Sequence, residues 1–220
     1  MTKDLALTDL EAASSIIFDL DGTLFDTAGD IHAALVGALQ SGGHPAPAEA
    51  VVRQGLPLRE MVRAAIGPDA DIQVVEQVEV EFRKRYDASN YNRTTAYPGI
   101  PELVHRLHAS GKALHIATNK RRVPTLRILE CKGFTNLFRS VVCVDQDGGR
   151  LTKREMLEHI LCEDDVPSAA CMFLGDSVGD IKAGKAAGIK TVGVLYGYAP
   201  AEEIVASEPD LLCKDVAGLL

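Results

Sequence analysis

Apolar and polar positions follow two different patterns along this chain. From about residue 28 to residue 93, apolar side chains recur every three or four positions, which is the spacing of one face of a helix. From residue 97 onward, short apolar runs alternate with amphipathic segments of helical spacing. We therefore predict an all-helical block inserted into a chain whose remainder alternates between strand and helix.

The helical block should contain three helices. Their apolar positions run through residues 31–39, 58–66 and 72–86, and Gly42 and Gly67 stand where the first two would end. Polar stretches at residues 26–27 and 90–95 would form two hinges. These hinges predict a helical cap domain at residues 28–93 and an α/β core made of residues 1–27 and 94–220.

The alternating part of the chain predicts a parallel sheet. A buried strand beginning at Ile16 is followed, beyond the helical block, by strand-like runs at residues 113–117, 140–144, 170–174 and 190–194. Repeated strand–helix units form parallel sheets that are covered on both faces. The expected fold class is therefore α/β, a Rossmann-like doubly wound parallel sheet core with an inserted all-α cap domain.

Composition narrows the class of protein. The 220 residues are 46% hydrophobic and 25% charged, as in an ordinary globular chain. A net charge of −8 argues against nucleic acid polymers and anionic membranes as partners. No apolar run approaches the roughly 20 residues of a membrane span, and the acidic N-terminal stretch does not resemble a signal peptide. Five scattered cysteines favour free buried thiols in a reducing cytoplasm over disulfides or a zinc site. The expected assembly is a monomer or a homodimer.

Candidate chemistry begins at the first buried strand. The sequence IIFDLDGTLFDT places Asp19 at the end of this strand and Asp21 two positions later. Two carboxylates at such short range drive one pKa upward unless a cation or a shared proton separates their charges. A simple Asp-Gly turn is the alternative, but the full DxDGT pattern on an apolar strand favours an active site.

Polar residues also follow two other predicted strands. Thr118 and Asn119 come directly after the run at residues 113–117, and Asp176 and Asp180 follow the run at 170–174 in the sequence LGDSVGD. Ligands of such sheets bind beyond the carboxyl ends of the strands. We therefore expect groups from three strands to meet at one edge of the sheet.

In this order and spacing, these motifs resemble the haloacid dehalogenase superfamily, and in particular its phosphoglycolate phosphatase-like branch. The matching stretches are DLDGTL at residues 19–24, ATN at 117–119, Lys153, and GDSVGD at 175–180, with a helical insertion after the first motif. The resemblance implies that Asp19 is a nucleophile that forms an aspartyl-phosphate. It implies that Asp21 acts as general acid and then as general base.

The resemblance also implies a metal site and a phosphate site. A Mg²⁺ ion would be held by Asp19, Asp176 and the backbone carbonyl of Asp21, and Asp180 would orient bound water or metal from a second layer. The residues expected to contact the phosphoryl group are Gly22, Thr23, Thr118, Asn119 and Lys153.

These phosphate contacts have simpler alternatives. A Thr-Asn pair taken alone is more often a turn or a helix cap, and a lysine at the start of a helix can simply be solvated. In the family pattern a proline often follows the lysine, whereas Arg154 follows Lys153 here. A neighbouring basic residue is therefore the alternative to Lys153.

The activity that the resemblance implies is a Mg²⁺-dependent phosphatase. Its substrate would be a small phosphomonoester such as phosphoglycolate, a sugar phosphate or a nucleotide. A phosphomutase of the β-phosphoglucomutase type, an inorganic pyrophosphatase and a non-catalytic phosphate sensor are alternatives. Dehalogenases and phosphonatases are disfavoured because Asp21 is present to protonate an alcohol.

Specificity would come from the cap, which is expected to close over the bound substrate. Arg53, Arg59 and Arg63 are the basic cap residues that could bind a substrate carboxylate or a second phosphate. At least two of these arginines are expected to be ordinary surface residues.

Overall fold

The computed structural model describes residues 2–48, 52 and 56–220. The chain divides into two compact units. The chain up to Asp26 together with Ala96–Leu220 forms an α/β unit, and Thr27–Thr95 forms a helical unit.

The α/β unit is built on a parallel sheet. The strands of the chain are β1 (Lys3–Asp4), β2 (Ser15–Phe18), β3 (Phe25–Asp26), β4 (Thr95–Ala96), β5 (Ala113–Thr118), β6 (Ser140–Cys143), β7 (Cys171–Gly175), β8 (Lys190–Val194) and β9 (Leu211–Cys213). Seven of them form one sheet in the order β1-β9-β8-β7-β2-β5-β6, and every pairing in it is parallel. β3 and β4 form a separate two-stranded sheet. The predicted α/β class is confirmed.

Helices separate the strands along the chain. The helices of the α/β unit are α1 (Leu7–Ala12), α5 (Ile100–Ala109), α6 (Arg122–Cys131), α7 (Lys153–Glu163), α8 (Val178–Ala186) and α9 (Ala201–Ala206). Those of the helical unit are α2 (Ala28–Ser41), α3 (Leu58–Ile66) and α4 (Ile72–Asp87).

The centre of the sheet is fully buried. All four residues of β2 are shielded from solvent, and because successive side chains point to opposite faces, both faces are covered there. One core cluster joins Ile17 of β2 and Phe173 of β7 to Met156, Leu157 and Ile160 of α7. This packing fixes α7 against the sheet and thereby fixes the position of its first residue.

The helical unit is closed by a hydrogen-bonded carboxylate near its two chain ends. Asp30, close to the start of α2, accepts the backbone N–H of Arg93 at 3.0 Å and the hydroxyl of Thr94 at 2.8 Å. Both donors meet the same oxygen, Oδ2, and hydrogen bonds of this kind offset the cost of burying a polar group. The predicted helical spacing at residues 31–39, 58–66 and 72–86 corresponds to α2, α3 and α4.

Six short strands and α-helices of the described residues were not predicted, namely β1, α1, β3, β4, α9 and β9. β1 consists of two exposed charged residues, Lys3 and Asp4, and is a strand only because it pairs with Leu211 and Leu212 of β9. Such pairing between distant residues leaves no local sequence signal. Within the described part of the chain, none of the helices combines the length and apolar character that crossing a bilayer requires. All five cysteines are free thiols, as expected, but only Cys143, Cys171 and Cys213 are buried, whereas Cys131 and Cys162 are exposed.

Candidate active site

Three neighbouring strands bring the candidate residues together. β2 lies between β7 and β5, with Phe18 opposite both Leu174 and Ile116. Asp19 follows β2, Asp176 follows β7, and Thr118 is the last residue of β5. Because the strands are parallel, their carboxyl ends share one edge of the sheet, and the three residues gather there as the sequence predicts.

Lys153 reaches this edge from the first turn of α7. Its ammonium lies 2.6 Å from Asp19 Oδ1, 2.9 Å from Asp180 Oδ1 and 3.0 Å from the carbonyl oxygen of Ala117. An ammonium has three hydrogens to donate, so these three acceptors satisfy it. The side chain is only 8% exposed. Lys153 is therefore the basic residue that contacts Asp19. Its neighbour Arg154 pairs with Glu158 at 2.7 Å instead.

Asp180 has a local and a long-range role at once. It is the third residue of α8, and Ser177 at the N-cap forms a capping box with it: the Asp180 backbone N–H donates to Ser177 Oγ at 3.1 Å, and Ser177 donates to the carboxylate at 2.6 Å. The other carboxylate oxygen meets Lys153. Helix capping and the charge cluster therefore use the same side chain.

The three acids form a compact buried cluster. One carboxylate oxygen from each of Asp19, Asp176 and Asp180 lies within 4.8 Å of the others, and all three residues are buried. If all three were ionised, three negative charges would face the positive charge of Lys153. A set of carboxylate oxygens with surplus negative charge is what a hard divalent cation binds. The residues present therefore fit a divalent metal.

Burial pushes two of these acids toward their neutral forms. Loss of solvation is the largest cause, and it raises the pKa of Asp19 to about 7 and that of Asp176 to about 8. The nearby Asp180 carboxylate raises the pKa of Asp19 further, and Asp19 does the same to Asp176. Burial alone would lower the pKa of Lys153, but Asp180 and Asp19 outweigh it and raise that pKa.

Two glycines leave room for the Asp176 carboxylate. Gly22 has a φ of +83°, and a Cβ there would lie 2.0 Å from Asp176 Oδ2; a Cβ on Gly197 would lie 2.3 Å from Asp176 Cβ. Only glycine adopts such a φ without strain and avoids the clash. The backbone N–H of Tyr198 donates to Asp176 Oδ2 at 2.8 Å. The loop after β8 thus fixes an acid that follows β7.

Asp21 pairs with a lysine that the sequence analysis missed. Lys120 Nζ lies 2.8 Å from Asp21 Oδ1 and 3.0 Å from Oδ2. Lys120 directly follows Thr118 and Asn119, and this position just beyond the end of a predicted strand is the feature of the sequence that could have identified it as a site residue. The acid that it would contact could not be predicted, because the contact depends on how the loops after β2 and β5 lie.

The expected phosphate contacts differ in their surroundings. Thr118 is buried, and its hydroxyl accepts the backbone N–H of Lys120 at 3.1 Å, while Asn119 is exposed. The backbone N–H of Gly22 donates to the carbonyl oxygen of Phe25 at 2.9 Å, and that of Thr23 to Leu20 at 3.4 Å. Both of those amides are therefore engaged in the turn itself.

The candidate arginines of the helical unit also have partners. Arg59 donates to both carboxylate oxygens of Glu79, at 2.8 and 3.0 Å, and Arg63 donates to the carbonyl oxygen of Pro68 at 2.6 Å. These contacts are those of structural surface arginines. Arg53 lies outside the described residues.

The chain is similar to known proteins over most of its length. The family model described as haloacid dehalogenase-like hydrolase matches residues 16–194. A phosphoglycolate phosphatase from Pseudomonas fluorescens is 33% identical over 214 residues, covering 93% of this chain and 78% of that protein. A 5'-nucleotidase from Pseudomonas aeruginosa is 30% identical over 207 residues, covering 93% of each.

Two further relatives extend the comparison. An N-acetylmuramic acid 6-phosphate phosphatase from Pseudomonas aeruginosa is 32% identical over 191 residues, covering 86% of this chain and 84% of that protein. Among solved structures, a predicted phosphoglycolate phosphatase from Haemophilus somnus superposes with a TM-score of 0.85 at 25% identity, covering 94% of this chain and 96% of that one. The similarity therefore extends over almost the whole chain.

Proposed function

This chain belongs to the haloacid dehalogenase-like hydrolases, and from that premise we propose that it is a Mg²⁺-dependent phosphatase that hydrolyses a small phosphomonoester through a phosphorylated Asp19. The observation that carries the proposal is the buried cluster in which Asp19, Asp176 and Asp180 gather beside Lys153. Relatives named as phosphatases of phosphoglycolate, of nucleotides and of a sugar acid support the reaction class.

In the first half of the reaction, Asp19 attacks phosphorus. A bond forms between its carboxylate oxygen and the phosphorus, and the ester bond from phosphorus to the alcohol oxygen breaks. The leaving oxygen takes its electron pair and a proton from Asp21. Lys153, 2.6 Å from Asp19 Oδ1, orients the attacking carboxylate and offsets its charge.

In the second half, water releases the phosphate. Asp21, which has given up its proton, takes one from the attacking water, so that the acid of the first step is the base of the second. The water oxygen forms a bond to phosphorus as the bond between the Asp19 oxygen and phosphorus breaks, so that inorganic phosphate is released and Asp19 returns as a carboxylate. The partly exposed position of Asp21, 26% against 10% for the Asp19 side chain, is consistent with contact to both water and substrate.

We assign the metal to the same edge of the sheet. Asp19, Asp176 and the backbone carbonyl of Asp21 would hold Mg²⁺, and Asp180 would support them through Lys153 and Ser177. When bound, Mg²⁺ offsets the negative charge of the carboxylates and of the phosphoryl oxygens.

Thr118 and Asn119 would bind the phosphoryl oxygens, and Lys153, whose three hydrogens have acceptors on Asp19, Asp180 and Ala117, would act there through its charge and not as a hydrogen-bond donor. Thr118 accepts a hydrogen bond from the Lys120 backbone, and a hydroxyl that accepts one hydrogen bond still has a hydrogen to donate. Gly22 was expected to donate its backbone N–H to the phosphoryl group, but that N–H is hydrogen-bonded to Phe25. We assign it a steric role instead, because the absence of a side chain makes room for Asp176.

We assign substrate selection to the helical unit as a cap domain. We do not propose Arg59 and Arg63 as substrate contacts, because both donate hydrogen bonds to other residues of the helical unit. Relatives named phosphoglycolate phosphatase and 5'-nucleotidase support a small phosphorylated metabolite as the substrate class.

The test is a phosphate-release screen. The panel contains phosphoglycolate, sugar phosphates, nucleoside monophosphates, N-acetylmuramic acid 6-phosphate and pyrophosphate, each with Mg²⁺ and with a chelator. We expect release from at least one monoester, dependent on Mg²⁺ and lost in Asp19→Asn. Asp69→Asn, the same change at an exposed acid, is the matched control and should retain activity. A silent panel with bound metal would contradict the proposal, and isomerisation of a sugar phosphate without release would indicate a mutase.

A further inference from the structure

We propose that Lys120 is a positioning residue, which holds the carboxyl group of Asp21 in place for proton transfer to the leaving oxygen. This inference rests on the proposed function, because it takes from it the acid–base role of Asp21. It adds a second lysine to the reaction, with a task different from that of Lys153.

The first support is the geometry of the pair. The Lys120 ammonium contacts both oxygens of the Asp21 carboxylate, at 2.8 and 3.0 Å. The Lys120 side chain is only 5% exposed, whereas Asp21 is 26% exposed. Burying an ammonium costs several kcal/mol unless it is paired. The buried Lys120 therefore holds the partly exposed Asp21 carboxylate from the protein side. The other side of that carboxylate stays accessible to solvent.

The second support is the way in which Lys120 itself is fixed. Its backbone N–H donates to the hydroxyl of Thr118 at 3.1 Å, at the end of β5. This strand pairs with β2, which leads directly to Asp19 and Asp21. Lys120 therefore lies in the loop two residues beyond a neighbouring strand of the same sheet, and its backbone hydrogen bond to the last residue of that strand ties the start of the loop to the sheet.

The third support is the division between the two lysines. The three hydrogens of the Lys153 ammonium have acceptors on Asp19, Asp180 and Ala117. Lys153 is therefore committed to the nucleophile, and Lys120 to the acid that lies two residues further on. Asp19 and Asp21 are thus each paired with a different lysine.

The contact suits both directions of proton transfer. The ammonium can hold one carboxyl oxygen while the other oxygen gives a proton to the leaving alkoxide and later takes one from water. Lys120 keeps its own protons throughout, so the proton balance of both steps is unchanged. Because the residue acts only through Asp21, its value depends on how strongly the leaving group requires a proton.

This dependence gives the test. Lys120→Met is compared with the parent on 4-nitrophenyl phosphate, whose phenolate leaves readily, and on the best alkyl phosphate of the screen, both with Mg²⁺. We expect kcat/KM, which reports phosphoryl transfer to Asp19 and not the later hydrolysis common to both esters, to fall about 10- to 100-fold for the alkyl ester and less than about threefold for the aryl ester, because general acid catalysis is worth 10²- to 10⁴-fold. Equal losses on both esters, or no loss on either, would overturn the inference.

A matched control separates positioning from structural damage. Lys112 is a structural lysine of the same unit whose ammonium donates to the backbone carbonyls of Glu11 and Ala13. Lys112→Met should leave the ratio of alkyl to aryl rates unchanged. If Lys120→Met does not fold, Lys120→Gln retains a donor and is measured in its place, with the same two esters.

A double-mutant cycle gives a second readout. In an Asp21→Asn background, Lys120→Met should have no further effect on either ester, since the group through which it acts is gone. Losses that multiply would overturn the inference. A parent that hydrolyses no phosphomonoester contradicts the proposed function instead, so the two failures can be told apart.

Discussion

Replacement of Asp19 by asparagine perturbs a buried carboxylate that lies beside two others, those of Asp176 and Asp180. The change should abolish phosphate release and, in the metal-free protein, raise the free energy of unfolding. Asparagine has nearly the same shape and keeps an oxygen that accepts from Lys153. It removes one of three carboxylates that lie within 4.8 Å of one another. The ionised Asp19 that the reaction requires thus lowers the stability of the folded protein.

The magnitude follows from the pKa of Asp19. Burial is the main cause that raises this pKa from 3.8 to about 7. Each pH unit of such a rise corresponds to about 1.4 kcal/mol, so keeping Asp19 ionised in the folded protein costs up to about 4 kcal/mol. Asparagine avoids that cost, and we expect a gain of this order at pH 8.

The sign of the pH dependence is also determined. Between pH 4 and pH 7 the folded parent binds more protons at Asp19 than the unfolded chain does, so the parent loses stability as the pH rises through this window. The Asp19→Asn variant lacks this titration. The advantage of the variant should therefore be largest at pH 8, fall to less than half at pH 5 and vanish below pH 4.

The assay is urea unfolding in the presence of a chelator, at pH 8 and at pH 5. Asp69→Asn, the same chemical change at an exposed position, is the control and should shift the free energy of unfolding by less than about 0.5 kcal/mol. A variant that is less stable than the parent at pH 8, or whose advantage is the same at both pH values, would refute the reasoning about buried charge.

Two further changes probe the surroundings of the acids. Gly197→Ala would place a methyl group 2.3 Å from Asp176 Cβ, and we expect it to weaken Mg²⁺ binding at least tenfold in calorimetry, about 1.4 kcal/mol; Gly149→Ala, whose nearest neighbour lies at 3.8 Å, should have no effect. Tyr198→Phe removes the 3.0 Å hydrogen bond to Asp26 but keeps the backbone donor; it should lower the free energy of unfolding by about 1 kcal/mol while Mg²⁺ affinity is unchanged.

Much of the fold could be predicted because its signals are local. The helical spacing of α2, α3 and α4 and the apolar runs of β5, β7 and β8 each lie within a few consecutive residues. β1 and β9 could not be predicted in this way, since residues 3 and 211 pair across almost the full length of the chain. β1 consists of two exposed charged residues, so its strand character comes from its partner, whereas β9 is apolar but only three residues long.

The features of the site also fall into those that the sequence predicts and those that require the structure. That Asp19, Thr118 and Asp176 would meet could be predicted, because parallel strands end at one edge of the sheet. The contact between Lys120 and Asp21 and the spacing role of Gly22 could not, because both depend on the conformation of loops. Sequence indicates which residues reach the edge, and structure is needed to show which of them touch.

The central claim is that Asp19 becomes phosphorylated, and the most direct measurement is chemical trapping. The protein is mixed with Mg²⁺ and a substrate identified by the screen, quenched during turnover and treated with borohydride, which reduces an acyl phosphate to an alcohol. Peptide mass mapping should then find homoserine at position 19, only when substrate was present, and aspartate at position 21. Phosphate release with an unmodified residue 19, or reduction at residue 21 instead, would contradict the account.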